Sequence, residues 1–387
     1  MLGDITVLEL SGGIATAYCG RLLSDLGARV IILEPPGGNA LRTEGPYRSD
    51  RPNHMYGGLF AYLGGNKESV TLDTETADGA DLLEQLAGHV DILVEEASGA
   101  AVDDVLPRYE QLRRTNPSLL MTSITPFGLS GPRRWWQASP LTLFAMSSRM
   151  RVHGKPDRYP LQYAPDTVPF QAGATAAAAT ATALVGRDDS GGRLIEVAVL
   201  EALIANVDVL TILASFTGVL SQRGLYPSMT YPCKDGFIIL SFQDRAIRGI
   251  IAAMGHSELA SDPRFVNRAA FVANQEEFDA YLQPWLFDHT REELFEVLQA
   301  NHVMCAPVAD FIDVLQDKHY NARAFIRRVD DPVLGPTTMP GSVFGPNCPP
   351  AETAPAPELG QATAQVFEEM LGLDATAMAR LRAARVI

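Results

Sequence analysis

Little in this sequence speaks for a metal, a disulfide or a membrane. Its four cysteines, Cys19, Cys233, Cys305 and Cys348, stand far apart with no CxxC pair and no CxxH spacing. Neither a zinc site nor a disulfide framework is expected, and a reducing cytoplasm fits best. The seven histidines (His54, His89, His153, His256, His289, His302 and His319) are scattered, none four residues from another, so no metal is expected. Basic residues are short as well: 31 Lys and Arg stand against 46 Asp and Glu. The resulting net charge of −15 repels a phosphate backbone and argues against nucleic acid as a partner. The most apolar long stretch, 197–220, is broken by Glu201, Asn206 and Asp208, and the opening MLGDITVLELSGG has no basic segment ahead of an apolar core. Neither a membrane span nor an export signal is expected. GxGxxG, GxSxG and GxxxxGK[ST] do not occur, which removes the commonest dinucleotide, serine-hydrolase and P-loop readings.

What is present is the composition of a folded protein. With 47% apolar and 20% charged residues, a disordered chain, a collagen-like repeat and a coiled coil are excluded. The 387 residues leave room for two domains at about 150 residues each. Residues 5–10 are a β-rich run, 15–26 have helical spacing and 29–34 are a second apolar run, so the chain opens as a βαβ unit with parallel strands. The alternation continues with a strand at 70–73, a helix over 77–87, a strand at 90–94, a helix near 109–114 and a strand at 119–123. This is the pattern of an open α/β sheet with helices on both faces.

Between 126 and 169, Gly, Pro and bulky aromatics crowd together, and long surface loops are expected. Residues 171–184 read as a helix of small residues that lets another backbone approach closely, in a core or at an interface. Residues 195–220 read as a long apolar helix, buried or at a subunit interface. A composition shift at 221–231 opens a smaller region with a strand at 235–241 and helices at 245–254, 275–287 and 291–300. The Pro- and Ala-rich stretch 346–359 is expected to run extended over the surface before a helix at 361–371.

Two local features invite chemistry. The first βα turn, SGGIATA from Ser11 to Ala17, and Glu34 at the end of the second strand occupy the places of a dinucleotide fold's phosphate turn and ribose-binding acid. Without GxGxxG, Glu34 reads as a strand-end charge beside the PPGG turn. Trp135–Trp136 beside Arg133–Arg134 reads either as a stacking surface for an adenine or as a buried aromatic plug.

Seven collinear segments carry a wider likeness: VLELSGGIATAYCGRLLSDLGARVIILEPPGG (7–38), NKESVTLD (66–73), LPRYEQLRRTNPSLLMTSITPFGLSGP (106–132), YPCKDGFIIL (231–240), DPRFVNR (262–268), DVLQDKHYNARAF (313–325) and PAPELGQATAQVFEEMLGL (355–373). Together they resemble the family III CoA-transferases (CaiB/BaiF type), the group of formyl-CoA transferase, carnitine CoA-transferase and alpha-methylacyl-CoA racemase. The resemblance implies an α/β fold: a large domain with a Rossmann-like open parallel sheet, completed by the C-terminal tail (1–200 and 330–387), a linker helix (201–221) and a small α+β domain (222–329). It also implies two subunits threaded through one another as interlocked rings. Coenzyme A or an acyl-CoA is the implied ligand, bound without a tight cofactor, and an organic acid is the second substrate. The implied CoA-pocket positions are Ile14, Ala15, Pro36, Leu63, Gly64, Gly65, Glu96, Ala97, Asp104 and Gln137.

The family's reaction is covalent: an aspartate carboxylate attacks the thioester, an acyl anhydride forms and CoA thiolate leaves. That aspartate lies about four residues before the glycine that opens the small-residue helix, here Gly173, and the position is Pro169. Asp166 is the candidate substitute. If 163–170 is extended, the offset moves a side chain roughly 10 Å and turns it to the opposite face. The acid or His–Asp pair after SGP reads Ser139–Pro140, and VENFRPG of the CoA pocket reads VEEASG with Glu96, Ala97 and Ser98. The basic positions read Asp104 and Gln137. Each unit-charge pair at 4 Å is worth about 1 to 4 kcal/mol at surface-like dielectric, so CoA binding is expected to weaken.

Loss of nucleophile, acid and phosphate ligands on an intact scaffold, with QAGA at 171–174, is similar to the non-catalytic subunit of the succinyl-CoA:benzylsuccinate CoA-transferases. The expectation is therefore a non-catalytic subunit that partners a homologous catalytic chain. The alternatives are a self-sufficient CoA-transferase or acyl-CoA isomerase or racemase, and a non-enzymatic CoA-ester binding module.

Overall fold

Apolar runs become parallel strands here because only a strand with helices on both sides hides such a run completely. The computed structural model describes all residues except 11, 48–55, 156, 188–190, 206–209, 221–227 and 346–352. Ser11 of the first βα turn, His54, Cys348 and parts of the linker and of the Pro-rich stretch lie outside the described residues. Strands β1 (Thr6–Leu10), β2 (Arg29–Glu34), β3 (Glu68–Thr71), β4 (Ile92–Glu96), β5 (Leu120–Thr125) and β6 (Arg193–Ala198) form one sheet in the order β3-β2-β1-β4-β5-β6, every pair parallel. Alternation along each strand feeds two cores: Val7, Val30, Ile92 and Val94 face one side, Leu8, Ile31, Leu33 and Leu93 the other. The strand order reverses between β1 and β4, so the loops that follow them part and leave a crevice at the carboxyl edge.

One side of the sheet is covered by α1 (Ile14–Asp25) and, after α2 (Gly58–Leu63), the other by α3 (Ala77–Ala87) and α4 (Val102–Thr115). Residues 126–169 are not all loop: α5 (Pro140–Met146) and α6 (Arg149–Val152) form there, and α7 (Thr167–Val185) begins inside the stretch. Ser139 and Thr142 build a capping box on α5 with Pro140 at its first turn, so a Ser-Pro pair amid turn-forming residues marks a helix start. Packing of α7 against α1 explains its small residues. A Cβ on Gly173 would stand 2.5 Å from the carbonyl oxygen of Ala15, so the two backbones approach as closely as glycine permits. α7 is 19 residues long and matches a membrane span by length and composition, but its inner face lies on α1 and the sheet.

The apolar stretch 195–220 also differs from a single helix. Its start belongs to β6, the sixth strand of the sheet, and two short helices follow, α8 (Val199–Ala205) and α9 (Leu210–Thr217). A short apolar run suits a buried strand as well as a buried helix, and pairing with β5 decides it.

The chain divides into two compact units, Met1–Ser221 with Lys318–Ile387, and Gln222–Asp317. In the smaller unit an antiparallel sheet of β7 (Ser228–Cys233), β8 (Gly236–Ser241) and β9 (Cys305–Pro307) is covered by α10 (Asp244–Met254), α11 (Arg268–Ala273), α12 (Gln275–Asp288) and α13 (Arg291–Ala300), with α14 (Phe311–Gln316) following. Its core is aromatic, with Phe242 stacked on Phe271 at 4.6 Å and Phe278 edge-on to both. The boundary expected at 329/330 falls at 317/318, because the segment from α15 (Lys318–Ala322) through the hairpin β10 (Ile326–Asp331) and β11 (Gly335–Pro340) belongs to the larger unit. Asp331 accepts the Tyr56 hydroxyl at 2.9 Å, and Leu334 packs in one core with Phe60 and Ala61.

The chain then runs along edge strand β3 before ending in α16 (Thr363–Leu371) and α17 (Ala375–Ala383). Ala362 donates to the Ser69 carbonyl at 2.9 Å, Thr363 Oγ1 accepts from Thr71 at 2.9 Å and Ala354 pairs with Asn66, so the sheet edge is occupied. Glu34 is no solvated strand-end charge. It is fully buried, held bidentately by Arg42 at 2.7 Å and by Ser69 at 2.6 Å, and Arg42 also donates to the Pro357 carbonyl of the tail. Removing one partner of such a pair strands the other charge in the interior. Arg42→Ala is expected to lower unfolding stability by about 3 to 5 kcal/mol in urea titrations and to loosen the tail, read as faster hydrogen exchange at 354–362.

Candidate functional site

Gly12 and Gly13 follow β1, and Glu96 ends β4, on the two sides of the crevice. The Glu96 carboxylate accepts hydrogen bonds from the Gly13 backbone N–H at 3.0 Å and the Thr16 hydroxyl at 3.3 Å. It thereby meets the N-terminus of α1, where unpaired N–H groups and the helix dipole favour an anion. A Cβ on Gly13 would lie 3.0 Å from Glu96 Oε2, close enough that the carboxylate would have to shift. Glu96 reaches solvent yet stands in a recess crowded by protein atoms, and that desolvation pushes its carboxyl pKa up against the two hydrogen bonds. Its neighbour Glu95 is buried. Burial raises its pKa, opposed by the Arg108 guanidinium paired with it and by Ser123.

Pro169 is the third residue of α7 and half-buried. A proline is tolerated in a first turn, where its missing N–H has no intrahelical partner to lose. One turn later Gly173 meets Ala15, and the Phe170 ring stands edge-on to Tyr18 at 4.8 Å, so this first turn is held beside the start of α1. Asp166 immediately precedes the helix. It is exposed, makes no side-chain cap bond, and its carbonyl accepts from Phe170 N at 3.1 Å. The expectation of an extended 163–170 is corrected at its C-terminal half, which is helical from Thr167. Three residues on such a course amount to a rise of about 4.5 Å on one side of the helix, not a reversal of face.

The other expected positions separate into two groups. Ile14 opens α1 half-buried, Ala15 is buried, and Ala97 is buried beyond Glu96 with its N–H on the Ile124 carbonyl. Ser98 and Asp104 are exposed, and Gln137 lies 3.6 Å from where a Cβ of Gly99 would be. These residues share the crevice side of the sheet with Glu96. Leu63, Gly64 and Gly65 do not open onto it. They are buried under the tail, where a Cβ on Gly64 would meet Ala356 at 3.0 Å and one on Gly65 the Ala354 carbonyl at 3.0 Å. Pro36 is exposed in the turn after β2. Ser139 caps α5 and carries no titratable group to the crevice.

Trp135 and Trp136 are not a buried plug: they are 49% and 53% exposed. Cys19 is buried and its thiol pKa is pushed up to about 12 by burial and the nearby Glu9, which leaves it unreactive. Among the described residues no three His, Cys, Asp or Glu side chains converge as metal ligands would. Sequence reasoning missed the Glu96 contact with Gly13 and Thr16, which joins residues 83 and 80 apart.

Because the Glu96 pKa is raised in the fold, its favourable contribution is complete below the ordinary carboxyl range and is lost as pH rises through the raised value. Glutamine keeps an oxygen for both donors and has no charge to desolvate. Glu96→Gln is expected to raise the thermal unfolding midpoint near about pH 7.5, with the gain vanishing near about pH 4. An equal gain at both pH values refutes the assignment.

The sequence profile of CoA-transferase family III matches residues 2–363. The chain is 32% identical over 400 aligned positions to the succinyl-CoA–D-citramalate CoA-transferase of Chloroflexus aurantiacus, covering 100% of this chain and 98% of that protein. It is 28% identical to subunit BbsE of the succinyl-CoA:(R)-benzylsuccinate CoA-transferase of Thauera aromatica, covering 87% and 86%. A CaiB/BaiF family protein from Brucella suis superposes with a TM-score of 0.81 at 26% identity, covering 95% of this chain and 98% of that one. A parallel sheet reversing at β1 and β4, glycines at the first turn and a match over nearly the whole length lead to one assignment: the chain belongs to CoA-transferase family III.

Proposed function

We propose that this chain is the non-catalytic subunit of a heteromeric CoA-transferase that moves CoA between an acyl-CoA and an organic acid in the cytoplasm. The observation that carries the reading is Pro169: a pyrrolidine ring offers no atom that can attack a thioester. Glu96 and Asp104 add to it, since carboxylates at positions matching the family's CoA pocket oppose the negative charge of CoA's phosphates. Relatives named for succinyl-CoA with D-citramalate or (R)-benzylsuccinate, one of them a subunit, direct the substrate class to small dicarboxylic acids.

Helix α9 supports a second chain. Ile212, Leu213 and Phe216 are 59%, 40% and 86% exposed on a helix without a charged residue, a surface that needs a partner's cover. An interlocked dimer with a homologous catalytic subunit supplies it. Co-expression with a homologous chain that carries Asp at the position matching Pro169 is expected to yield a heteromer turning over succinyl-CoA and dicarboxylic acids, with the lone chain inactive. Robust turnover by the lone chain overturns the reading.

A second reading has one observation in its favour, the helical course of 166–169, which sets Asp166 one turn before Pro169 on the same side of α7. There Asp166 Oδ attacks the thioester carbonyl, the C–S bond breaks, CoA thiolate departs and a mixed anhydride remains. Hydroxylamine trapping with peptide mass analysis decides between the two. The subunit reading expects no hydroxamate on Asp166, and the lone-enzyme reading expects one that Asp166→Asn abolishes.

A further inference from the structure

The bend between α15 and β10 is a helix stop without its usual glycine. The Phe325 N–H donates to the Tyr320 carbonyl at 2.9 Å and the Ala324 N–H to the Asn321 carbonyl at 3.0 Å, while Ala324 holds a left-handed φ of 53°. An alanine persists in that conformation only where its surroundings fix it, and such positions gather at ligand sites. Arg327 is part of the fixing. Its Nε donates to the Ala324 carbonyl at 3.1 Å, and its stem lies so close to Gly341 that a Cβ there would fall 2.8 Å from Nε. The bend brings Arg323 and His319, one helical turn apart, to the same cavity as Arg327, and Tyr320, Ser342 and Val343 share its wall. The Tyr320 ring is held edge-on between His319 at 5.9 Å and Phe325 at 6.1 Å. The cavity measures about 250 Å³, just under the range usual for ligand pockets, so it suits a small molecule.

We propose that this cavity binds a small dicarboxylate, with Arg323 and Arg327 each taking one carboxylate and Tyr320 and Val343 covering the methylene chain between them. The choice of a dicarboxylate rests on the reading of this chain as a subunit of a transferase for small dicarboxylic acids. Charge calls for an anion: Arg323 is exposed and, among the described residues, pairs with no carboxylate, in a chain whose net charge is −15. Asp25 offsets part of the Arg327 charge but already takes Arg21 at 2.9 Å. The planar guanidinium fork matches a carboxylate bidentately. Tyr320 and Val343 are 40% and 55% exposed, an apolar wall that inorganic phosphate would leave wet. Asp25 is the last residue of α1, whereas Glu96 meets the first turn of the same twelve-residue helix, about 18 Å away along its axis. A ligand in the cavity therefore lies outside the crevice, and the site binds the acid without consuming it.

The test is a calorimetric titration of the full chain with succinate, with butyrate and inorganic phosphate as comparison ligands at equal ionic strength. Succinate is expected to bind saturably, and butyrate, which has the same carbon count and one carboxylate fewer, at least about tenfold more weakly. Arg323→Gln and Arg327→Gln are each expected to weaken succinate about tenfold. Circular dichroism checks that each variant is folded; should Arg327→Gln unfold, the exposed Arg323 decides alone. Unchanged succinate affinity in Arg323→Gln overturns the site, as does an absence of saturable succinate binding or saturable phosphate binding with succinate silent. The paired-chain assay reads separately. Turnover by the heteromer without Arg323-dependent succinate binding removes the site and leaves the subunit reading standing, and Arg323-dependent binding by a chain whose heteromer is inactive does the reverse.

Discussion

The approach of α7 to α1 governs the geometry of the crevice. At Gly173 any side chain would meet the Ala15 carbonyl, and a Cβ there would also press on Tyr18 at 3.1 Å, so the two helices touch backbone to backbone. Further along the same seam Ala172, Ala176 and Ala177 are buried, and Thr180 bonds across to Thr122 of β5 at 2.6 Å. Because the seam is tight, the first turn of α7 is carried to the start of α1, where Glu96 arrives from the neighbouring strand. A bulkier helix would ride higher on the sheet and take Pro169 and Asp166 with it.

Charges are handled in opposite ways inside and at the crevice. In the interior every cation named here has its carboxylate: Arg42 with Glu34, Lys67 with Glu9 at 2.7 Å and Arg21 with Asp25 at 2.9 Å, all nearly inaccessible. Gly20 leaves room for one of these pairs, since a Cβ there would fall 1.8 Å from Glu9 Oε2. Such pairs add little net stability over an apolar filling but are costly to break, so they hold register between strands, helices and tail. At the crevice the balance reverses. Glu96 accepts from the Gly13 N–H and the Thr16 hydroxyl at the start of α1, and an anionic ligand reaching that helix end has a carboxylate to compete with. Arg108 answers the neighbouring Glu95, and further cations, Arg133 and Arg134, stand on the loop after β5 beside the two indoles.

Much of the larger unit was legible from periodicity. Residues 29–34 and 77–87 are the strand and helix their patterns announce, and the parallel βαβ order follows from apolar runs alternating with amphipathic stretches. Reading failed where the local signal is ambiguous. Residues 195–198 (Ile-Glu-Val-Ala) are too few to show a period, and pairing with β5 makes them a strand. Residues 126–169 carry Gly, Pro and aromatics that look like loop, yet Ser139 and Pro140 start a helix once Thr142 answers the cap. Glu34 reads as a strand-end charge, and only Arg42 and Ser69 closing on it make it a buried one.

By itself the sequence settled which chemical groups are available: a proline ring at 169, a carboxylate at 96, no metal-ligand spacing and a surplus of negative charge. Those are properties of residue type, and no folding alters them. Only the tertiary structure decided which groups meet and which stay wet: Glu96 with Gly13, Glu34 with Arg42, Trp135 bonded to Asp103 and half exposed, Gly64 and Gly65 sealed beneath the tail. The physical reason is that burial and contacts between distant residues arise from packing of whole elements, which no short window of residues contains.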